Sequence, residues 1–149
     1  MPDGSNILSE HEIQSEFFRL IRILEQEEPR LKLVHAICNQ AAWKSASKYV
    51  KEGLRKGWPD VGFPVKSATG EFNGLYIEFK TDKGRISEEQ ADYLDLLSKS
   101  GSLCVVCRDA DIALELVLEY LKEDGEPEIP LPDRLPRSLK LDIIPINNN

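Results

Sequence analysis

No run of apolar residues in this chain approaches the roughly 20 needed to cross a bilayer. The opening stretch MPDGSNILSE carries neither the basic nor the apolar region of a signal peptide. Both absences point to an intracellular protein with no membrane partner. Cysteine is scarce: Cys38, Cys104 and Cys107 are the only three, an odd number set among apolar neighbours. That usage suits reduced, buried thiols rather than a disulfide framework. Cys104 and Cys107 do form a C-x-x-C, but within SLCVVC, which reads as a strand. Residues three apart in a strand point to opposite faces, so a shared metal or disulfide is not expected there. Internal repeats are absent too. Positive charge is in deficit, 19 Lys and Arg against 26 Asp and Glu, and the resulting net charge of −7 argues against a broad nucleic-acid-coating surface.

What is there is one domain's worth of chain. Its 149 residues, 41% hydrophobic and 30% charged, can bury a single core of ordinary globular composition. The elements alternate. SEHEIQSEFFRLIRILEQEE places Ile13, Phe17, Leu20, Ile21 and Leu24 at helical spacing, with Ser9 and Glu12 as a capping box and Pro29 as a stop. LKLVHAIC (31–38) reads as a short strand, and AWKSASKYVKEGLRKG (42–57) as a helix ended by Gly57. DVGFPV (60–65) and GLYIEFK (74–80), joined by the turn-rich KSATGEFN, form an antiparallel hairpin. A helix over 87–101 carries a second capping box, Ser87 with Gln90, and Gly101 at its end. SLCVVC is a buried strand, and DADIALELVLEYLKE a last amphipathic helix. After Gly125 the sequence is proline-rich and extended. The expected architecture is α/β, a small mixed central sheet flanked by helices over residues 1–124, with a C-terminal extension over 125–149.

The hairpin raises a chemical question. On strand 74–80, Leu75, Ile77 and Phe79 face one way, and Tyr76, Glu78 and Lys80 the other. A turn centred near Thr69 puts Asp60 opposite the Glu78–Lys80 end. Two carboxylates that close repel unless a cation lies between them, and such oxygen ligands suit Mg²⁺ or Mn²⁺. An adjacent lysine could then orient or deprotonate a water, which outlines phosphodiester hydrolysis. The alternative is a solvated strand face with a cross-strand salt bridge from Lys80 to Asp60.

Charge is also unevenly spread. Between residues 41 and 66, Lys44, Lys48, Lys51, Arg55, Lys56 and Lys66 face only Glu52 and Asp60. Lys44, Lys48, Lys51 and Arg55 recur on one helical face running toward Asp60, a candidate contact for DNA phosphates. Trp43 and Trp58 flank that stripe, and Trp58 is expected to pack against the hairpin rather than to stack on a base.

GWPDVG (57–62) followed by LYIEFKTDKGRISEEQADYLDLLSKSG resembles the PD-(D/E)xK nuclease superfamily. More closely it resembles the virus-type replication-repair nuclease (VRR-NUC) domain, with its G-x-P-D motif, E-x-K strand and glutamine in the next helix. The resemblance runs from about Ser9 to Leu121 and includes Lys83, Gly84, Arg85 and Ser87. It implies Asp60, Glu78 and the Phe79 carbonyl as metal ligands, Lys80 as catalytic lysine, and Gln90 beside the metal as well as in its cap. It implies a further glutamate from the first helix. EHEIQ selects Glu10, which at about 100° per residue falls within the apolar stripe, whereas Glu16 falls at its border. In the first turn Glu10 would also complement the helix dipole. Asn39 matches a polar position near the site or is a turn residue. Lys83 and Arg85 offer a second approach for DNA.

The expected function is therefore a Mg²⁺- or Mn²⁺-dependent DNA endonuclease. Single-domain members of the family resemble dimeric junction-resolving enzymes of phage type, which implies a homodimer acting on four-way or other branched DNA. If phage-encoded, it would work in the bacterial cytoplasm. The alternatives are a flap- or nick-directed nuclease, and a non-catalytic DNA-binding module.

Overall fold

The computed structural model describes residues 8–38, 46–123 and 141–143. Helix α1, Glu10–Leu24, starts where both halves of the capping box close: Glu12 N–H donates to Ser9 Oγ (3.2 Å) and Ser9 N–H to Glu12 Oε2 (2.7 Å). Ile13, Phe17 and Ile21 form its buried stripe, and the helix ends at Leu24, ahead of Pro29. Helix α3, Glu88–Lys99, repeats the device with Ser87 and Gln90. Helix α4, Ala110–Leu121, is capped by Asp109, whose side chain accepts from Ile112 N–H.

Between these helices lies a five-stranded mixed sheet in the order β1-β2-β3-β4-β5. Its strands are β1 His35–Ala36, β2 Val61–Phe63, β3 Leu75–Phe79, β4 Leu103–Cys107 and β5 Leu141–Ile143. β3 pairs antiparallel with β2 and parallel with β4, the chain crossing through α3. One sheet face, with Leu75, Ile77, Phe79, Val105 and Cys107, packs with α1 and α4; Phe17 and Phe79 lie 5.4 Å apart between ring centres. The other face packs Cys104 and Val106, with Tyr76 beside them, against Leu94 and Leu97 of α3. Cys104 and Cys107 therefore point to opposite faces, and burial pushes the Cys104 thiol up to about 12.

Three expectations need correction. The segment read as a first strand begins inside a 3-10 helix, Pro29–Leu33, started by Pro29 and by Glu28, whose side chain accepts from Arg30 N–H. Leu31 anchors it in the core, and only His35–Ala36 pair as strand. The helix expected to reach Gly57 is α2, Ala46–Lys51, among the described residues. It stops at Gly53 (φ +103°), where Leu54 N–H bonds Tyr49 O (2.8 Å) and Gly53 N–H bonds Val50 O (3.1 Å), a Schellman closure. Gly57 serves a different end: a Cβ there would meet Glu89 Cβ at 2.9 Å, so its bareness lets the chain pass close to α3. Cys38 is exposed rather than buried. Beyond these, residues 141–143 of the C-terminal extension pair as β5, antiparallel to β4.

Candidate active site

The register Val61↔Ile77, Gly62↔Tyr76, Phe63↔Leu75 extends by one residue to bring Asp60 level with Glu78, as a turn centred on Thr69 requires. Asp60 lies just outside β2 and is held by two backbone bonds. Its Oδ2 accepts from Phe79 N–H (2.8 Å), and its carbonyl accepts from Ile37 N–H (2.8 Å). Glu78 lies inside the central strand, 1% exposed. Its Oε1 accepts from Gln90 Nε2 (2.8 Å), while Gln90 Oε1 accepts from Ser87 N–H (2.8 Å). One glutamine thus caps α3 and fixes the carboxylate. Glu78 Oε2 is buried with no hydrogen-bond partner.

Lys80, 8% exposed, follows at the end of β3. Its Nζ stands 3.5 Å from Glu78 Oε1 and 3.5 Å from Glu10 Oε1. The capping box that begins α1 therefore also carries Glu10 over the end of the sheet to the lysine. Glu16 does not approach; it is exposed and pairs with Arg19 at 2.6 Å. The salt bridge imagined between Lys80 and Asp60 is replaced by the pairs with Glu78 and Glu10.

The electrostatics follow from this crowding. Burial pushes the Glu78 carboxyl up to about 8, and the negative charge of Asp60 adds to it, against the pull of Lys80. The Asp60 carboxyl is likewise raised, by burial first. The Phe79 N–H opposes that shift and the charge of Glu10 adds to it. One ammonium leaves two buried carboxyls partly uncompensated. Without a cation such a pair of carboxyls retains a proton, and a small hard cation could take the proton's place between them. Mg²⁺ is commonly held by one or two carboxylates and keeps waters or substrate phosphate for its other positions. Asp60 and Glu78, with the Phe79 carbonyl between Glu78 and Lys80, fit that pattern. Among the described residues no group of three or more His, Cys, Asp or Glu side chains converges as a metal cage.

The remaining candidates are spread around this centre. Lys48 and Lys51 are exposed on α2, and Lys44, Asn39 and Trp43 lie outside the described residues. Arg55 follows the Gly53 closure, so it does not continue the helical face as expected. Lys83 and Arg85 are exposed on the turn after Lys80. Sequence reasoning missed what holds that turn: Arg108 Nη1 donates to the Thr81 carbonyl and to the Gly84 carbonyl (2.7 Å). The signal was available only through the sheet. Phe79 pairs with Cys107, so Arg108 must lie beside Lys80 once β3 and β4 are known to run parallel.

A search of curated proteins gave no match. A solved structure described as "VRR_NUC domain protein" superposes with a TM-score of 0.61 at 22% identity, covering 76% of this chain and 88% of that one, which is a likeness of fold. The family model for the VRR-NUC domain matches residues 5–111, a span that contains Glu10, Asp60, Glu78, Lys80 and Gln90. The chain belongs to the VRR-NUC domain family.

Proposed function

We propose that the chain is a divalent-metal-dependent endodeoxyribonuclease whose centre is Asp60, Glu78 and Lys80. Membership of a nuclease family supplies the reaction class. The observation that carries the assignment to these residues is Glu78: fully buried, one oxygen unpartnered, beside a second carboxyl and within 3.5 Å of a lysine. A salt-bridged strand face on a binding module would be solvated, and this one is not.

Asp60 and Glu78 would hold the metal with the Phe79 carbonyl; Glu10, which pairs with Lys80 in this structure, would have to turn toward them to serve as a further ligand. When bound, Mg²⁺ or Mn²⁺ supplies Lewis-acid polarisation of the scissile phosphate and lowers the pKa of water. Gln90 Nε2 occupies Glu78 Oε1, and Oε2, which has no hydrogen-bond partner, would be the oxygen free to bind a cation. Lys80 Nζ, fixed as an ammonium by Glu10 and Glu78, would orient the attacking water by donating to it and stabilise the negative charge that develops on the phosphate. The Phe79 N–H holds Asp60 in place without consuming both of its oxygens.

The finer reading is branched DNA, a four-way junction cut by a homodimer. The likeness to stand-alone junction-resolving members of the family supports it, and two symmetric cuts need two sites. A panel of labelled four-way, flap, nicked, splayed and linear DNAs, incubated with Mg²⁺ and with Mn²⁺, tests it. Preferential paired incision of the four-way junction is expected. Preferential cutting of flaps or nicks would replace the junction reading, and no cleavage of any substrate would leave a binding module.

A further inference from the structure

Two residues back from each carboxylate the chain carries an aromatic ring: Trp58 before Asp60, and Tyr76 before Glu78. Trp58 lies 6.1 Å from Tyr76 and 5.3 Å from Tyr93 of α3, ring centre to ring centre. It packs on the hairpin, as the sequence suggests, and also divides two open grooves. The first, about 390 Å³, is lined by Ile37, Cys38, Leu54, Arg55, Trp58 and Tyr76 among others. It lies on the side where β1 reaches Asp60, since the Ile37 N–H bonds the Asp60 carbonyl. Arg55 is exposed at its rim.

We propose that this groove receives an unpaired nucleobase of the DNA strand being cut, next to the scissile phosphate. The inference rests on the nuclease reading and adds the substrate feature that the site recognises. Three observations favour a base over another occupant. The walls offer aromatic faces and a guanidinium, the pair of surfaces on which heterocyclic rings stack. Among the described residues the lining also includes apolar Ile37 and Leu54 and no carboxylate, so a strand carrying phosphates meets Arg55's charge there without an opposing one. The groove also shares its backbone with the carboxylates through Trp58-Pro-Asp60 and Tyr76-Ile-Glu78. A base seated between the rings places its own phosphate at the catalytic end of β3. A base held in an intact duplex cannot enter, so the groove selects gaps, flaps and branch points that expose an unpaired base over continuous duplex.

The test is binding in EDTA, where no strand is cut. The DNAs are an intact duplex, the same duplex with one unpaired nucleotide, and that DNA with the unpaired base replaced by an abasic sugar. The abasic control keeps every phosphate and removes only the ring. Wild type is expected to favour base-bearing over abasic DNA by about 5- to 100-fold, the range of one base–aromatic stack. Trp58→Leu should abolish the difference and Trp58→Phe retain part of it, each preference being read against the same variant's affinity for intact duplex. Because Trp58 also packs on Tyr76 and Tyr93, a readout without substitution is needed. Cys38 lines the groove and is exposed, whereas Cys104 and Cys107 are buried. Base-bearing DNA should therefore slow alkylation of Cys38 more than abasic DNA does. Equal affinity and equal protection with the two DNAs would overturn the proposal, as would a full preference retained by Trp58→Leu. A protein that cleaves with metal but ignores the base refutes the groove alone. A protein that prefers the base but never cleaves refutes the nuclease alone.

Discussion

Glu78 is the residue on which the chemistry and the stability of this molecule pull in opposite directions. Its carboxyl titrates near 4.5 when unfolded and is pushed up to about 8 in the fold by burial and by Asp60, with Glu10 adding and Lys80 opposing. Between those values the folded state holds a proton that the unfolded state has lost. Unfolding then releases protons, so stability falls as pH climbs from about 4.5 to about 8 and levels off above. Asp60, also raised, adds to the fall. Glu78→Gln keeps the shape and removes this residue's charge. In EDTA the variant should be increasingly more stable than wild type as pH rises through that window. Saturating Mn²⁺ should close or reverse the gap, because only wild type keeps both ligands. Urea unfolding at pH 5, 6.5 and 8.5, with and without Mn²⁺, measures this; parallel curves for the two proteins would contradict it.

At the scale of elements, basic side chains come from two places, α2 with Lys48 and Lys51, and the 81–85 turn with Lys83 and Arg85. If both touch phosphates, each alanine substitution should lower the slope of log affinity against log salt by about 0.9 on duplex DNA, whatever the sequence. Exposed positions of this kind change stability by about 0.5 kcal/mol or less. Arg108→Ala should weaken binding through the turn, because it releases the Thr81 and Gly84 carbonyls, and should leave the effect of Lys48→Ala intact. Unchanged salt slopes in all the lysine and arginine variants would make both stretches solvated surface. What was legible in the sequence divides along the same line. α1 and α3 announce themselves because their capping boxes and apolar periods are local. The Asp60–Glu78 juxtaposition is legible because a short hairpin has few registers. The early end of α2 was missed because two glycines competed and the closer contact, Gly57 against Glu89, is made by another element. The packing of Trp58 on the hairpin was legible, but Arg108 and the Trp58–Tyr93 contact were not, for a related reason: strands and a helix far apart in sequence bring them together.

The molecule as a whole is acidic, −7 in formal charge, yet is read as acting on a polyanion. The sheet accounts for how both hold. Its core faces are closed by α1 and α4 on one side and α3 on the other, while the groups proposed as catalytic gather at one end, where β3 ends and α1 begins. Among the described residues no helix is long and apolar enough to cross a membrane. The central claim is that this end of the sheet hydrolyses DNA using Asp60, Glu78 and Lys80. Single-turnover cleavage of the best substrate in Mn²⁺, comparing wild type with Lys80→Ala and Asp60→Asn, tests it most directly. Both variants should cleave roughly 10²- to 10⁴-fold more slowly or not at all, with Lys80→Ala still binding the DNA. Cleavage by either variant at the wild-type rate would contradict the account.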